Sequence, residues 1–452
     1  MPRIVDQSPD PKSHVKTLMR IGYTVNSAVA DVIDNSIAAG AQNIEIYAPP
    51  GMDDPRISIL DDGWGMDLNE LIQNMRIGCK DPSLEREKGD LGRFGSGMKT
   101  ASFSQARQLT VISKKKNHPL VAARWDIDKI EETNTWCLEV FESHEIPDIS
   151  GIRLDSSVGS GTQILWSKLT CLDTGSHALD QDAELALRLS ELRSYLALHF
   201  HRFMSGKNKR VFRLNNMIIE PIDPFMTGAA GYQEGRSEKL RCKGGHIVIK
   251  THVLPHFKNM DAELLDDLGG ADGITQKQGL YIYREERLIS AGGWLGMARN
   301  SQLGALARVQ VDIPSSLDNS WSTDVKKASL QMPPRVKRGL RKFLADPIKR
   351  SKTVHTYRGK VDTANKFWKI CENENTKVIT YQIDPGNQLL GSLMQKCDKD
   401  ERLILISYLK ELAQKLPINH IYEKMSERPK DINQGEAEME ALEALLDRVF
   451  KG

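Results

Sequence analysis

The chain has 452 residues, enough for two or three domains with cores of their own. Hydrophobic residues make up 40% and charged residues 27%, as in globular proteins, and no stretch approaches the roughly 18 apolar residues of a membrane span. The net charge of +2 is too small to indicate nucleic-acid binding by itself, and the six cysteines lack the spacing of a zinc site or a disulfide framework.

The first 204 residues alternate between helical and extended patterns, which predicts an α/β sandwich domain over 1–204. Residues 1–14 lack the apolar segment of a signal peptide, so we expect a cytoplasmic protein. A polar stretch without periodicity at 79–90 predicts a long, lid-like loop. Predicted helices cover 12–39, 67–77, 100–105 and 179–204, and predicted strands cover 43–47, 57–60, 108–113, 120–126, 136–141 and 161–166.

Two further regions complete the predicted α/β fold. Residues 205–332 predict an α+β domain, with strands at 211–214, 246–253, 279–283 and 308–313. Residues 333–452 predict a helical region that includes an amphipathic helix at 436–450. The segment 335–352 is strongly basic, so it is either a phosphate-binding surface or a solvated helix face.

The first candidate site lies in the predicted helix at 28–41, AVADVIDNSIAAGA. Asp31 and Asn35 are four residues apart and therefore project from the same side of the helix. A carboxylate and a carboxamide one turn apart suit a polarised water beside a bound cation. The alternative is a surface helix with two solvated polar residues.

Two glycine-rich segments follow in the chain. Asp61 ends a predicted strand and could accept a hydrogen bond from an adenine amine, while Gly63 and Gly65 allow the backbone to approach the base. The cluster at 92–97 precedes a predicted helix and would turn backbone N–H groups and the positive helix end toward phosphates. A Walker A loop is disfavoured there, because Met98 separates Gly97 from Lys99.

In this combination and order, the motifs at 31–35, 61–65, 92–99 and 161–164 resemble those of the GHKL ATPase superfamily, with MORC and MutL proteins as the most similar members. The resemblance implies a Bergerat-type fold over about 15–200 that binds ATP and Mg²⁺. It implies that Asp31 is the catalytic base and that Asn35 holds the metal. The other residues that it places around the nucleotide are Asp61, Gly63, Gly65, Met66, Gly92, Gly95, Ser96, Gly97, Met98, Lys99 and Thr162.

The segments at 210–225 and 279–290 resemble strands of the transducer domain that follows the ATPase domain in MORC and MutL proteins. The segment at 324–327 resembles the loop that delivers a lysine to the γ-phosphate, through Lys326 or Lys327; the alternative is a solvated basic pair. Two departures from the family pattern concern hydrolysis and binding. Most relatives have glutamate where this chain has Asp31, and many have an Asp-Ala pair where it has Ala38 and Ala39.

The resemblance implies a slow, Mg-dependent ATPase that acts as a nucleotide-gated homodimeric clamp in DNA-associated work, in genome maintenance or defence. Because Asp31 is one methylene shorter than glutamate, a non-hydrolysing ATP-dependent switch remains an alternative. A chaperone-like protein that acts on a protein partner is a further alternative. We expect no membrane partner.

Overall fold

The computed structural model describes residues 9–78, 97–172, 178–206, 208–242, 245–256, 259–260, 270–320, 322–323, 330–356, 368–372, 379–384 and 386–415. These residues confirm the predicted α/β class, with two large sheets and C-terminal helices. Among them no helix is both long and apolar enough to cross a membrane.

An eight-stranded sheet organises the N-terminal region, in the order β5-β4-β3-β6-β2-β1-β7-β8. Neighbouring strands are antiparallel except for the parallel pair β1–β7. The strands are β1 (Asn43–Tyr47), β2 (Ile57–Asp61), β3 (Ala106–Lys114), β4 (Leu120–Asp126), β5 (Leu138–Phe141), β6 (Gly161–Leu169), β7 (Val211–Leu214) and β8 (Met217–Ile218).

The pairing of β7 with β1 differs from the predicted division of the chain at residue 204. The strand at 211–214 is present, but it extends the first sheet instead of beginning the second. Phe212 is fully buried there and packs against Phe200, with ring centroids 5.6 Å apart. Sequence pattern identifies a strand but not its long-range partner, which explains the difference.

Seven helices cover this sheet within the described residues. They are α1 (Pro11–Met19), α2 (Val25–Ala38), α3 (Leu68–Met75), α4 (Gly97–Phe103), α5 (Ile127–Thr133), α6 (Ala178–His199) and α7 (His201–Met204), and a short 3₁₀ turn lies at Ile146–Asp148. The single helix predicted over 12–39 is two helices. Gly22 has a φ of +75° between them, and Thr24 caps α2 by accepting a hydrogen bond from the Ser27 amide.

The second sheet has the order β12-β11-β13-β10-β9. Its strands are β9 (Gln233–Cys242), β10 (Gly245–Val253), β11 (Gly279–Arg284), β12 (Arg287–Ala291) and β13 (Ala307–Ile313), accompanied by α8 (Gly270–Gln276), 3₁₀ turns at Gln302–Gly304 and Ser315–Ser320, and the short pair β14 (Ser322–Thr323) and β15 (Leu330–Gln331). The long helix α9 (Pro334–Thr356) closes the core of this sheet through buried Val336, Leu340 and Leu344.

The C-terminal region contains helices, as predicted, and also an antiparallel hairpin. Its further elements are β16 (Trp368–Glu372), β17 (Ile379–Ile383), α10 (Gln388–Lys396) and α11 (Lys399–Gln414). The helix predicted at 436–450 lies outside the described residues.

The two sheets are joined through α6 and α7, which contact the β11–β12 hairpin. His199 of α6 hydrogen-bonds through Nδ1 with the Leu288 carbonyl at 2.7 Å. Arg202 of α7 pairs with Asp312 of β13 and lies over the ring of Tyr283, with its guanidinium carbon 3.5 Å from the ring centroid. The second sheet is therefore anchored directly on the helices of the first.

Candidate functional site

Helix α2 carries three polar residues whose surroundings differ. Asp31 and Asp34 are buried, with exposed fractions of 8% and 1%, whereas Asn35 is exposed. An exposed carboxamide on an otherwise buried stretch of helix can reach a ligand without breaking the packing. The geometry thus places Asn35 on the accessible side of α2, one turn from Asp31.

The Asp31 carboxylate is held by two side chains and lies beside the start of α4. The Tyr23 hydroxyl donates a hydrogen bond to Oδ2 at 3.0 Å, and Nη1 of Arg287 lies 3.5 Å from Oδ1. A side chain added at Gly97 would place its Cβ 3.5 Å from Oδ2, so α4 begins beside this carboxylate. The first motif and the start of the glycine-rich helix therefore meet, as their assignment to one site requires.

Arg287 is the functional candidate that the sequence analysis did not identify. Its side chain is 5% exposed and pairs with Oδ2 of Asp34 as well as with Asp31. Burial alone would lower the pKa of Arg287, but Asp34, Tyr195 and Asp31 raise it above its ordinary value, so the guanidinium is charged. No local pattern signals this contact, because Arg287 and Asp34 are 253 residues apart in sequence.

Asp61 lies at the end of β2 in a second buried position. Its carboxylate accepts hydrogen bonds from Ser36 Oγ at 2.6 Å and from the Gly63 amide at 2.9 Å. Burial raises the pKa of Asp61, and these hydrogen bonds offset only part of that effect. A carboxylate has about four acceptor positions, and the protein donors Ser36, Gly63 and Thr162 leave capacity for a ligand amine. Ser36 was also missed by the sequence analysis.

The loop after Asp61 depends on close backbone packing. Gly65 has a φ of +67°, and a Cβ there would lie 1.8 Å from the Lys114 carbonyl oxygen. The Met66 amide donates to Ser113 Oγ at 2.8 Å, and that hydroxyl is 2.9 Å from Thr162 Oγ1. Thr162 also pairs with Asp61 in the β2–β6 ladder. The structure thus brings the second and fourth motifs together, with Ser113 between them.

The remaining predicted site residues are only partly described. Lys99 of α4 is 3% exposed, and its ammonium group donates to the Asn74 carbonyl at 2.6 Å. Met98 packs against the core of the first domain. The nucleotide contact predicted for Lys99 therefore requires a change of partner. Gly92, Gly95, Ser96, Lys326 and Lys327, as well as the lid-like loop at 79–90, lie outside the described residues.

No cluster of three or more histidine, cysteine or acidic side chains suited to a metal ion occurs in the part of the chain that the structure describes. Magnesium keeps several waters and is commonly bound through one or two protein oxygens together with substrate phosphates. The exposed amide oxygen of Asn35 can be one such protein ligand.

Comparison with known proteins agrees with this geometry. Residues 23–158 match the family model described as histidine kinase-, DNA gyrase B- and HSP90-like ATPase. The predicted resemblance to the GHKL ATPase superfamily is therefore confirmed over residues 23–158. Asp31, Asn35, Asp61, Gly63 and Gly65 all lie inside the matched region.

Within this superfamily the chain is similar to MORC ATPases. It is 34% identical over 93 residues to ATPase MORC2B from Mus musculus, which covers 20% of this chain and 9% of the mouse protein. It is 28% identical over 89 residues to ATPase morc-1 from Caenorhabditis elegans, which covers 20% of this chain and 10% of the nematode protein. The matched regions thus span about a tenth of the length of these relatives.

The packing around Gly65 gives a testable prediction. Gly65→Ala should destabilise the protein by about 1–3 kcal/mol more than Gly51→Ala, because Cβ meets the Lys114 carbonyl only at position 65. Both glycines have positive φ, and Gly51 has nothing within 4 Å of the added Cβ, so Gly51→Ala is the matched control for backbone strain. Urea denaturation measures the difference, and equal losses in the two variants would contradict the close packing.

Proposed function

We propose that this protein binds and hydrolyses ATP with Mg²⁺ and acts as a nucleotide-gated dimeric clamp in DNA-associated work. The observation that carries the proposal is the meeting of three motifs: Asp31 of α2 lies beside the start of α4, and Ser36 of the same helix donates a hydrogen bond to Asp61 at the end of β2. Asn35 is exposed one turn from Asp31. The match to the GHKL family model over this region gives independent support.

Each of these residues has a role that follows from its surroundings. Asp61 would accept a hydrogen bond from the adenine amine, since a buried acceptor gains most from a matching donor. Asn35 would hold Mg²⁺, which supplies charge neutralisation on the phosphate oxygens. Asp31 would accept the proton of a water whose oxygen attacks the γ-phosphorus, while the bond to the ADP oxygen breaks. Lys326 or Lys327 remains the proposed source of a lysine for the γ-phosphate.

A non-hydrolysing switch is the second candidate, and one observation favours it. Asp31 accepts a hydrogen bond from Tyr23 and lies 3.5 Å from the Arg287 guanidinium. Both carboxylate oxygens of Asp31 therefore have partners within the protein that compete with an attacking water. The ion pair and the short aspartate side chain both point to slow turnover.

The DNA-associated part of the proposal is supported by the outer face of α9. The apolar side of this helix packs on the second sheet, and its exposed basic residues are Arg335, Arg338, Arg341, Lys342, Lys349 and Lys352. Two basic side chains elsewhere are engaged within the protein: Lys115 pairs with Asp67 and Glu70, and Arg210 donates to the Ala41 carbonyl. We therefore assign phosphate contacts to α9.

Asn35→Ala and Asp61→Asn should each weaken ATP binding. An unpaired polar group in the complex costs about 1–3 kcal/mol, which corresponds to roughly 5- to 150-fold in the dissociation constant. Calorimetry with Mg²⁺ and a non-hydrolysable analogue measures the effect. Asp62→Asn is the matched control, because the neighbouring Asp62 carboxylate bonds the amides of Gln42 and Asn43 within the protein. Unchanged affinity in both site variants would contradict the proposed pocket.

Asp31→Asn should lower ATP turnover by about 100-fold or more, because general-base catalysis typically contributes that much. Binding of the analogue should persist, since the amide keeps the size of the carboxylate. Phosphate release at saturating ATP measures turnover. An unchanged rate would exclude Asp31 as the base, whereas ATP binding without turnover in the unmodified chain would favour the switch.

The clamp predicts ATP-dependent assembly. Light scattering should give the 50.8 kDa monomer without nucleotide and twice that mass with Mg²⁺ and a non-hydrolysable analogue. A monomer under all conditions would contradict the clamp.

Binding of duplex DNA should weaken steeply between about 50 and 200 mM salt if α9 contacts phosphates. Replacing Arg338 and Arg341 with glutamate should remove this DNA binding and leave the nucleotide-dependent mass unchanged.

A further inference from the structure

We infer that Arg287 is a positioning residue for the Asp31 carboxylate, through which the second sheet becomes part of the ATPase site. The inference rests on the proposed function, since it assigns Asp31 the role of polarising water. It goes beyond the motifs, because Arg287 lies outside all of them and outside the matched region at 23–158.

The first argument is the sharing of one guanidinium by two acids of α2. Asp31 and Asp34 are three residues apart on the helix, so their carboxylates lie on neighbouring faces of one turn. Arg287 pairs with Asp34 and lies 3.5 Å from Asp31. The guanidinium is therefore a cation that these two buried acids share, and it holds their carboxylates in their present placement.

The second argument concerns the turn that precedes Arg287. Arg287 begins β12 directly after a two-residue hairpin turn formed by Glu285 and Glu286, whose φ angles are +46° and +70°. Such a turn normally carries asparagine or glycine, since side chains strain at positive φ. Both glutamates are held in place: Glu285 accepts a hydrogen bond from the Ser315 amide at 2.8 Å, and Glu286 lies 3.3 Å from Arg202. Backbone strain held by tertiary contacts is typical of a functional position.

The third argument is the rigid surrounding of the guanidinium. Its central carbon lies 5.1 Å from the ring centroid of Phe200, and the Tyr195 hydroxyl also bonds to it. Tyr195 is itself stacked on His199 at 3.9 Å, and His199 bonds the carbonyl of Leu288 beside Arg287. Arg287 is therefore fixed from both sheets, so a shift of the second sheet would move the charge that faces Asp31.

Turnover and nucleotide affinity should respond differently to removal of this side chain. Arg287→Met should lower kcat by about tenfold or more, because misplacing a reacting group by about 1 Å can cost roughly 100-fold. The dissociation constant of the ATP analogue should change by less than about threefold, since Arg287 would act in the reaction and not in binding. Arg287→Lys keeps a single cationic nitrogen that could lie between the two acids as Nη1 of Arg287 does, but it loses the planar guanidinium, so it should restore kcat in part.

A pair of variants separates positioning from folding. Asp34→Asn leaves Arg287 facing Asp31 alone, and Asp34→Asn with Arg287→Met removes both charges of the stronger pair. We expect the double variant to remain folded and to have a kcat at least about tenfold lower than the single variant, because it loses the contact of Arg287 with Asp31 in addition to those with Tyr195 and Phe200. Arg308→Met is the control for loss of a buried arginine, because Arg308 donates hydrogen bonds to the backbone carbonyls of Ala305 and Ile274 and not to the acids of α2. It should leave kcat unchanged.

All measurements use the full chain, with phosphate release, analogue binding and thermal melting recorded for each variant. Equal kcat in Asp34→Asn and the double variant would overturn this inference while the ATPase assignment stands. A similar loss of kcat in Arg308→Met would also overturn it. If the unmodified chain neither binds nor hydrolyses ATP, the proposed function fails, and the inference fails with it.

Discussion

The buried ion pair between Arg287 and the two acids of α2 is the contact on which the arrangement of this protein depends. Moving a charge into the interior costs several kcal/mol unless it is paired, so neither Arg287 nor Asp34 could keep its place alone. Helix α2 lies on the first sheet, and Arg287 begins a strand of the second. The pair therefore links the two sheets. The surroundings of Asp31 consequently depend on the position of the second sheet as well as on the first.

The local parts of the site could be predicted from the sequence. The spacing of Asp31 and Asn35 determines their relation within one turn of helix, and Gly65 marks a turn that needs positive φ. Most strands of the first sheet were found at nearly their observed bounds for the same reason. Alternation of apolar and polar residues indicates a strand, and glycine indicates a turn, from only a few neighbouring residues. The family resemblance adds the order in which the motifs follow one another along the chain.

The long-range parts of the site could not be predicted in this way. Ser36 reaches Asp61 across 25 residues of sequence, and Arg287 reaches Asp34 across 253. In each case the residue type is ordinary for its element: a serine in a helix and an arginine at the start of a strand. Their roles arise only when the elements pack. The strand β7 is a further example, since its hydrophobic pattern gives no information on whether it joins β1 or the second sheet.

Asp61 and Asp31, the adenine-binding and water-polarising residues of the proposed site, are held in place by different parts of the protein. Asp61 is held by Ser36 and Gly63, and the end of β2 is fixed by close packing, because a Cβ at Gly161 would lie 2.4 Å from the Asp61 carbonyl oxygen. Those contacts all lie within the first domain. Asp31, in contrast, is held in part by a residue of the second sheet. A nucleotide could therefore be bound at the end of β2 while the geometry for hydrolysis still depended on the position of the second sheet. In an ATP-driven clamp this division would allow binding to precede turnover, since movement of the second domain would change the surroundings of Asp31, and with them the reaction rate, without first releasing the adenine from Asp61.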